Sequence, residues 1–291
     1  MKYSFLFLTL TLLSSCKLAD LRTDTFKQEG ITSSNELKGK QILKESWKAQ
    51  GMDKLQQFQT YEVVGKDHWK GLTGKTANPW PANNALTQLR YAIGTFDGQM
   101  EILEGKKKGW SAGLQSWQYY EFSKGQTPSF DVKKDKAISF IIPAYQYFFE
   151  LIGRLKNAPI VAYMGQRQFN GQDYDLVFTS WESDAPNEKN DQYVLYVNTK
   201  TKLIDYASYT LRDNYLPAPK GLYGTIHFKD FRDIEGIKIP FQQTVFTKDP
   251  KTKEEKYLHK LTVNDFRFDS FDKSLLYPNP NLGTLGDQKL E

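Results

Sequence analysis

The sequence predicts a mainly β protein, a strongly curved antiparallel sheet or barrel accompanied by two helices. Three observations predict it. Short apolar or alternating runs bounded by turn signals recur along the chain, as expected of consecutive antiparallel strands. Aromatic residues are abundant, 17 Tyr, 19 Phe and 6 Trp making 14% of the 291 residues, which suits strands that line a broad interior. Only two stretches, near residues 35–51 and 143–155, carry helical spacing.

The N-terminus is a targeting signal. Met1 to Cys16 reads MKYSFLFLTLTLLSSC, with Lys2 as the positive region, Phe5 to Leu13 as the apolar region and Ser14-Ser15 as the small residues before the cut. The apolar run is too short to span a bilayer. Leu13-Ser14-Ser15-Cys16 resembles the bacterial lipobox, which implies cleavage before Cys16 and acylation of its thiol. Cys16 is the only cysteine, so neither a disulfide nor a zinc cluster competes for it. Two or more acyl chains anchor a protein stably where one does not. Lys17 stands where the inner-membrane retention signal would have aspartate, so the same resemblance points to the outer membrane.

Removing fifteen residues from 291 leaves 276, enough for one large domain. Loss of Lys2 takes the net charge from +5 to +4. This mild balance, with acidic residues scattered among basic ones, argues against nucleic-acid binding. Lys106-Lys107-Lys108, between Gly105 and Gly109, reads as a hairpin tip.

Residues 16–35 read as a polar tether. A helix begins near Asn35, where Leu37, Ile42, Leu43 and Trp47 lie close to helical spacing, and Gly51 ends it. Strands follow over Phe58–Val64, Gln88–Phe96, Gln99–Leu103 and Trp110–Phe122, with Asp97-Gly98 as a hairpin turn. Pro143 is expected at a first helical position. After it Tyr145, Phe148, Phe149, Ile152 and Leu155 repeat on one face, which Tyr147 and Leu151 widen. A helix this apolar is buried or lies as a lid over something apolar. Hairpins fill the remainder: Tyr193–Val197 with Leu203–Leu211, then Ile226 and Phe228 alternating with polar residues, the turn Asp233–Gly236, Ile237–Phe241 and Tyr257–Phe268. Pro240 marks an edge or a bulge. Residues 271–291 read as a weakly structured tail.

Tyr196-Val197-Asn198-Thr199-Lys200-Thr201-Lys202-Leu203-Ile204, Gly224 to Asp233 and Gly236 to Phe241, with Gly165 to Phe178 matching more loosely, resemble the LolA/LolB-like lipoprotein-carrier superfamily, most closely its uncharacterised outer-membrane lipoprotein relatives. The likeness covers about residues 36–270. It implies a half-open antiparallel barrel that encloses, or is capped by, the N-terminal and central helices, with an apolar cavity for acyl chains. On that implication Tyr145, Phe148, Phe149, Ile152 and Leu155 are the cavity candidates. A packed core needs the same face, so the residues alone leave both readings open. Soluble carriers of that superfamily lack an anchor. The lipidation signal at Cys16 therefore favours an anchored binding protein over a shuttle.

No chemistry-bearing constellation stands out. His68, His227 and His259 lack metal-ligand spacing, and no nucleophile elbow, dinucleotide fingerprint or phosphate-binding loop is present. Asp67-His68-Trp69 is the most site-like local cluster, although a strand-ending turn with an aromatic plug has the same composition. His259 shares a strand face with Leu261 and Val263, as a satisfied, partly buried imidazole would. Asp173/Asp175 and Glu182/Asp184 are spaced for a shared strand face. The expected function is therefore an outer-membrane-anchored protein, non-catalytic and without cofactor or metal, that binds a lipid or other apolar ligand. The alternatives are an anchored interaction module of an envelope or surface uptake complex with a closed core, and a glycan or lipid hydrolase.

Overall fold

The computed structural model describes residues 18–212, 215, 218–250 and 256–282; Cys16 lies outside them. Twelve strands form one antiparallel sheet: β1 Thr60–Trp69, β2 Leu86–Ala92, β3 Gly98–Ile102, β4 Trp110–Gln115, β5 Gln118–Ser123, β6 Ile160–Phe169, β7 Gln172–Ser180, β8 Tyr193–Asn198, β9 Ile204–Thr210, β10 Tyr223–Ile234, β11 Ile237–Thr247 and β12 His259–Phe268. Their order is β5-β4-β3-β2-β1-β12-β11-β10-β9-β8-β7-β6. Strands β5 and β6 are the two edges, so the sheet is open, not closed into a barrel. Helices α1 Asp24–Glu29, α2 Ser33–Gln50, α3 Gly71–Ala77, α4 Lys136–Phe149 and α5 Leu151–Leu155 complete the chain. Among the described residues no helix is long and apolar enough to cross a membrane.

The sheet curls around α4 and α5. Its concave face and these helices share one apolar core that includes Tyr61, Tyr91, Met100, Leu114, Leu195, Val245 and Phe266 beside Ile142, Phe149 and Ile152. Helix α2 covers the β6 edge and sends Ile42 and Leu43 into the same core. It starts on a capping box, Thr32 accepting from the Asn35 amide and Asn35 Oδ1 from the Thr32 amide, which satisfies amides that have no helical partner. It stops at Gly51, as its sequence predicts, in the left-handed conformation with φ 76°. A Cβ there would lie 2.1 Å from the Gly236 carbonyl oxygen at the β10–β11 turn. Gly51→Ala should therefore cost about 2 kcal/mol or more, from the backbone conformation and the clash together. Urea unfolding checks this; an unchanged midpoint would show that the α2 terminus and this turn are not locked.

Three expectations need correction. Pro143 does not open the central helix; it sits inside α4, which begins at Lys136 behind Asp135, whose carboxylate caps the Ala137 and Ile138 amides at 2.9 and 3.1 Å. An interior proline costs about 3 kcal/mol. Burial of Ile138, Ile142, Tyr145 and Phe149, at roughly 1.5–3 kcal/mol per large apolar side chain, outweighs it. The stretch read as a tether is docked from residue 19 onward on the convex face. The Ala19 amide donates to the Lys220 carbonyl at 2.9 Å, the Leu21 amide to Gln192 Oε1 at 2.9 Å, and Arg22 bridges Asp20 and Asp184. Phe26 of α1 fills a second apolar cluster with Ala162, Tyr174, Phe178, Val194 and Tyr196. The described part of the tail is ordered too: Leu276 is fully buried, and Gln115 exchanges hydrogen bonds with Asn279 at 2.7 and 3.0 Å.

Other expectations agree with the structure. Lys106–Lys108 lie in the β3–β4 connection, and Asp97-Gly98 ends the β2–β3 turn. Pro240 lies where β11 pairs with β10 alone, since β12 pairing begins at Gln242, so its missing N–H breaks no ladder.

Candidate functional site

All five cavity candidates face the interior of the half-barrel. Tyr145, Phe149, Ile152 and Leu155 are buried, and Phe148 is partly buried against the same core. Phe148 meets Tyr209 with ring centroids 5.0 Å apart, and Phe149 meets Phe266 at 5.8 Å. The void between Phe148, Leu151, Ile204, Phe228, Phe231 and Pro240 is about 10 Å³, at the lower limit for one water. In this conformation α4 and α5 themselves fill the interior of the half-barrel.

Two buried polar clusters hold the helices there. The first is built on Asp67, near the end of β1 and 4% exposed. Its Oδ2 accepts from Trp69 Nε1 at 2.6 Å, from Trp80 Nε1 at 2.8 Å and, by a short hydrogen bond, from the Tyr145 hydroxyl of α4. Its Oδ1 lies 3.1 Å from His259 Nδ1. An ionised carboxylate only accepts, so this imidazole nitrogen must donate. His259 stacks on Trp69 at 4.2 Å and 6°, and Trp80 stacks on Tyr145 at 5.9 Å and 10°. Burial pushes the Asp67 carboxyl upward, but His259 and the hydrogen bonds from Tyr145 and Trp80 outweigh it and hold its pKa below the ordinary value. Burial and the adjacent Asp67 charge push the Tyr145 phenol well up, so it stays a donor.

The second cluster joins the end of α4 and α5 to the β2–β3 turn. Arg154 donates to Glu150 Oε2 and to the Thr95 carbonyl, both at 2.8 Å, and its guanidinium lies 3.9 Å from the centre of the Phe96 ring. Gln146 donates to the Ala92 carbonyl at 2.8 Å and to Glu150 Oε1 at 3.1 Å. Glu150 is fully buried, and burial raises its pKa in spite of Arg154 and Gln146.

The other sequence candidates do not converge. His68, next to Asp67, bonds Tyr257 instead, with Nδ1 2.6 Å from the hydroxyl oxygen. Asp175 accepts from Gln166 at 3.1 Å and lies on β7, with five strands between it and β1. Asp184 pairs with Arg22. His227 stacks on Tyr206 at 3.9 Å. His259 does share a buried face with Leu261 and Val263, as expected. Among the described residues no group of His, Cys, Asp and Glu is placed to hold a metal ion.

Sequence reasoning recognised Asp67, Tyr145 and His259 separately and missed that they meet. Two signals were available. Asp67 alternates with apolar Val63 and Trp69 on the inner face of β1, and Tyr145 is the one hydroxyl-bearing residue among the five cavity candidates. Glu150 and Arg154, spaced i and i+4 inside an apolar helix, were a third unread signal of a buried ion pair.

The fold is an open antiparallel half-barrel wound around helices, the architecture that resemblance to the LolA/LolB-like carriers implies. Solved structures of similar fold include an outer membrane lipoprotein-sorting protein domain from Vibrio parahaemolyticus, at 10% identity and TM-score 0.49, covering 83% of this chain and 97% of that one. A LolA superfamily protein from Nitrosomonas europaea aligns at 11% identity and TM-score 0.44, over 82% of this chain and 96% of its own. A DUF1329 family protein from Desulfovibrio piger gives 11% and 0.47, over 85% and 98%. No family model and no curated protein matches the sequence.

Proposed function

We propose that this chain is a lipoprotein acylated at Cys16 and anchored at the outer membrane, and that its half-barrel holds a lipid or other apolar ligand without catalysis. The observation that carries the reading is the interior itself. An open sheet surrounds an apolar, aromatic space whose filling is supplied by one helical segment, α4–α5, and not by side chains of the sheet alone. Polar clusters at Asp67 and Glu150 fix that segment to β1, β12 and the β2–β3 turn. Ligand entry corresponds to an outward shift of α4–α5, with acyl chain replacing the contacts of Phe148, Phe149 and Leu151.

The near-absence of free volume beside Phe148 favours a second reading, an anchored interaction module whose core stays shut. The two differ in a titration. Under the first, an environment-sensitive fatty-acid probe binds the full chain saturably, and Phe148→Ala, which enlarges the void at a partly buried position, changes the affinity at least about threefold, or roughly 0.7 kcal/mol. Folded protein that shows no saturable binding in either form supports the closed module instead.

A further inference from the structure

We propose that the rim where the odd-numbered strands end is the face this protein presents to an anionic lipid bilayer. The proposal rests on acylation at Cys16 and adds an orientation to it. Cys16 precedes Ala19 by three residues, a span of at most about 11 Å. Ala19 is not part of a free linker: its amide donates to the Lys220 carbonyl and its carbonyl accepts from Arg212, each at 2.9 Å. Both partners belong to the β9–β10 connection, on that rim. An anchor on so short a leash holds this end of the half-barrel within reach of the headgroups, whereas a free tether of twenty residues would leave orientation open.

Charge makes the same choice independently. The strand register places the connections 70–85, 103–109 and 124–135 on this rim, because Trp69 pairs with His259, Leu86 with Lys66 and Trp110 with Ser123. They carry Lys70, Lys75, Lys106, Lys107, Lys108, Lys124, Lys133 and Lys134. Of their carboxylates, Glu104 pairs with Lys66 at 2.9 Å and Asp135 caps α4, while Asp131 is exposed. In the acidic connection 181–192, Asp184 pairs with Arg22 and Glu188 with Lys220, and Asp191 accepts from the Thr210 hydroxyl and the Arg212 amide, which leaves Glu182 and Lys189 as its other charges. The opposite rim has no comparable excess, its turns holding Lys200 and Lys202 against Asp97 and Glu235. Leu72, 84% exposed, stands among the lysines of the first rim. Near an anionic surface each lysine adds to the attraction, so several of them on a leashed domain fix its orientation.

The test uses the full, acylated chain in vesicles containing phosphatidylglycerol. A spin label is carried by Lys107→Cys on the basic rim or by Thr201→Cys on the opposite one, both exposed positions. Collision with a water-soluble relaxing agent should be at least about threefold weaker at position 107 than at 201, and Lys106→Gln with Lys108→Gln should narrow the gap. Acylated protein with equal accessibility at both positions overturns the orientation. A mass spectrum of the same preparation without acyl chains on Cys16 overturns the anchored reading instead, so the two failures are told apart.

Discussion

Replacing Asp67 with alanine is expected to destabilise the protein by about 3–5 kcal/mol, the range for breaking a buried charge pair. The substitution removes the acceptor of two indole N–H groups, the Tyr145 hydroxyl and the His259 imidazole. All four would remain buried, with only the 3.5 Å contact between the Tyr145 hydroxyl and His259 Nδ1 left among them. Equilibrium unfolding in urea, followed by tryptophan emission, reads the loss directly, since Trp69 and Trp80 are themselves partners. The pH dependence has a definite sign. The folded-state pKa of Asp67 lies below its unfolded value. Its contribution is therefore complete above the ordinary carboxylate range and is lost as pH falls through the depressed value. Asp67→Asn, which cannot titrate, should lack this component of acid destabilisation. An Asp67→Ala protein as stable as the parent would mean that α4 is not held at this point.

A comparable effect is expected for Arg154→Met. It leaves the Glu150 carboxylate fully buried without its cation, again at about 3–5 kcal/mol near neutral pH. Here the sign is opposite to that of Asp67. Burial already raises the Glu150 pKa above its unfolded value, so the folded state holds the proton more tightly. Stability therefore falls as pH rises from the unfolded value through the raised one. Without Arg154 that window extends upward, and the variant should be penalised more at about pH 8 than at about pH 5. Adding Glu150→Gln to Arg154→Met should recover most of the loss, because a neutral amide replaces the stranded charge. A penalty independent of pH, or one not relieved by the double substitution, would assign the effect to lost packing on Phe96 instead.

Sequence spacing made the elements legible, while distant contacts decided how they act. Helix α2 could be read because its punctuation is local, from the cap at Thr32 to Gly51. The hairpins could be read for the same reason: strand alternation and turn residues lie within a dozen positions of each other. Asp67, Tyr145 and His259 could not be joined, since their positions span 192 residues. Their meeting depends on β1 closing against β12 and on α4 entering the curl, both tertiary events without a local signature. Pro143 misled because a proline suits the first helical turn, whereas the actual start is set by Asp135, eight residues earlier. Residues 19–30 looked like linker because their apolar content is low; Phe26 supplies the buried anchor into the convex cluster, with Leu21 packed beside it. A single aromatic residue does not register as a periodic pattern.

The half-barrel as a container is tested most directly by native mass spectrometry of the full, acylated chain purified without detergent exchange, resolving the anchor on Cys16 from any non-covalent lipid. The prediction is an additional lipid at near-stoichiometric occupancy, with occupancy altered in the Phe148→Ala variant and the covalent anchor unchanged. A folded, acylated protein that carries no lipid beyond its anchor, in both forms, would contradict a ligand-binding interior and leave α4–α5 as permanent core.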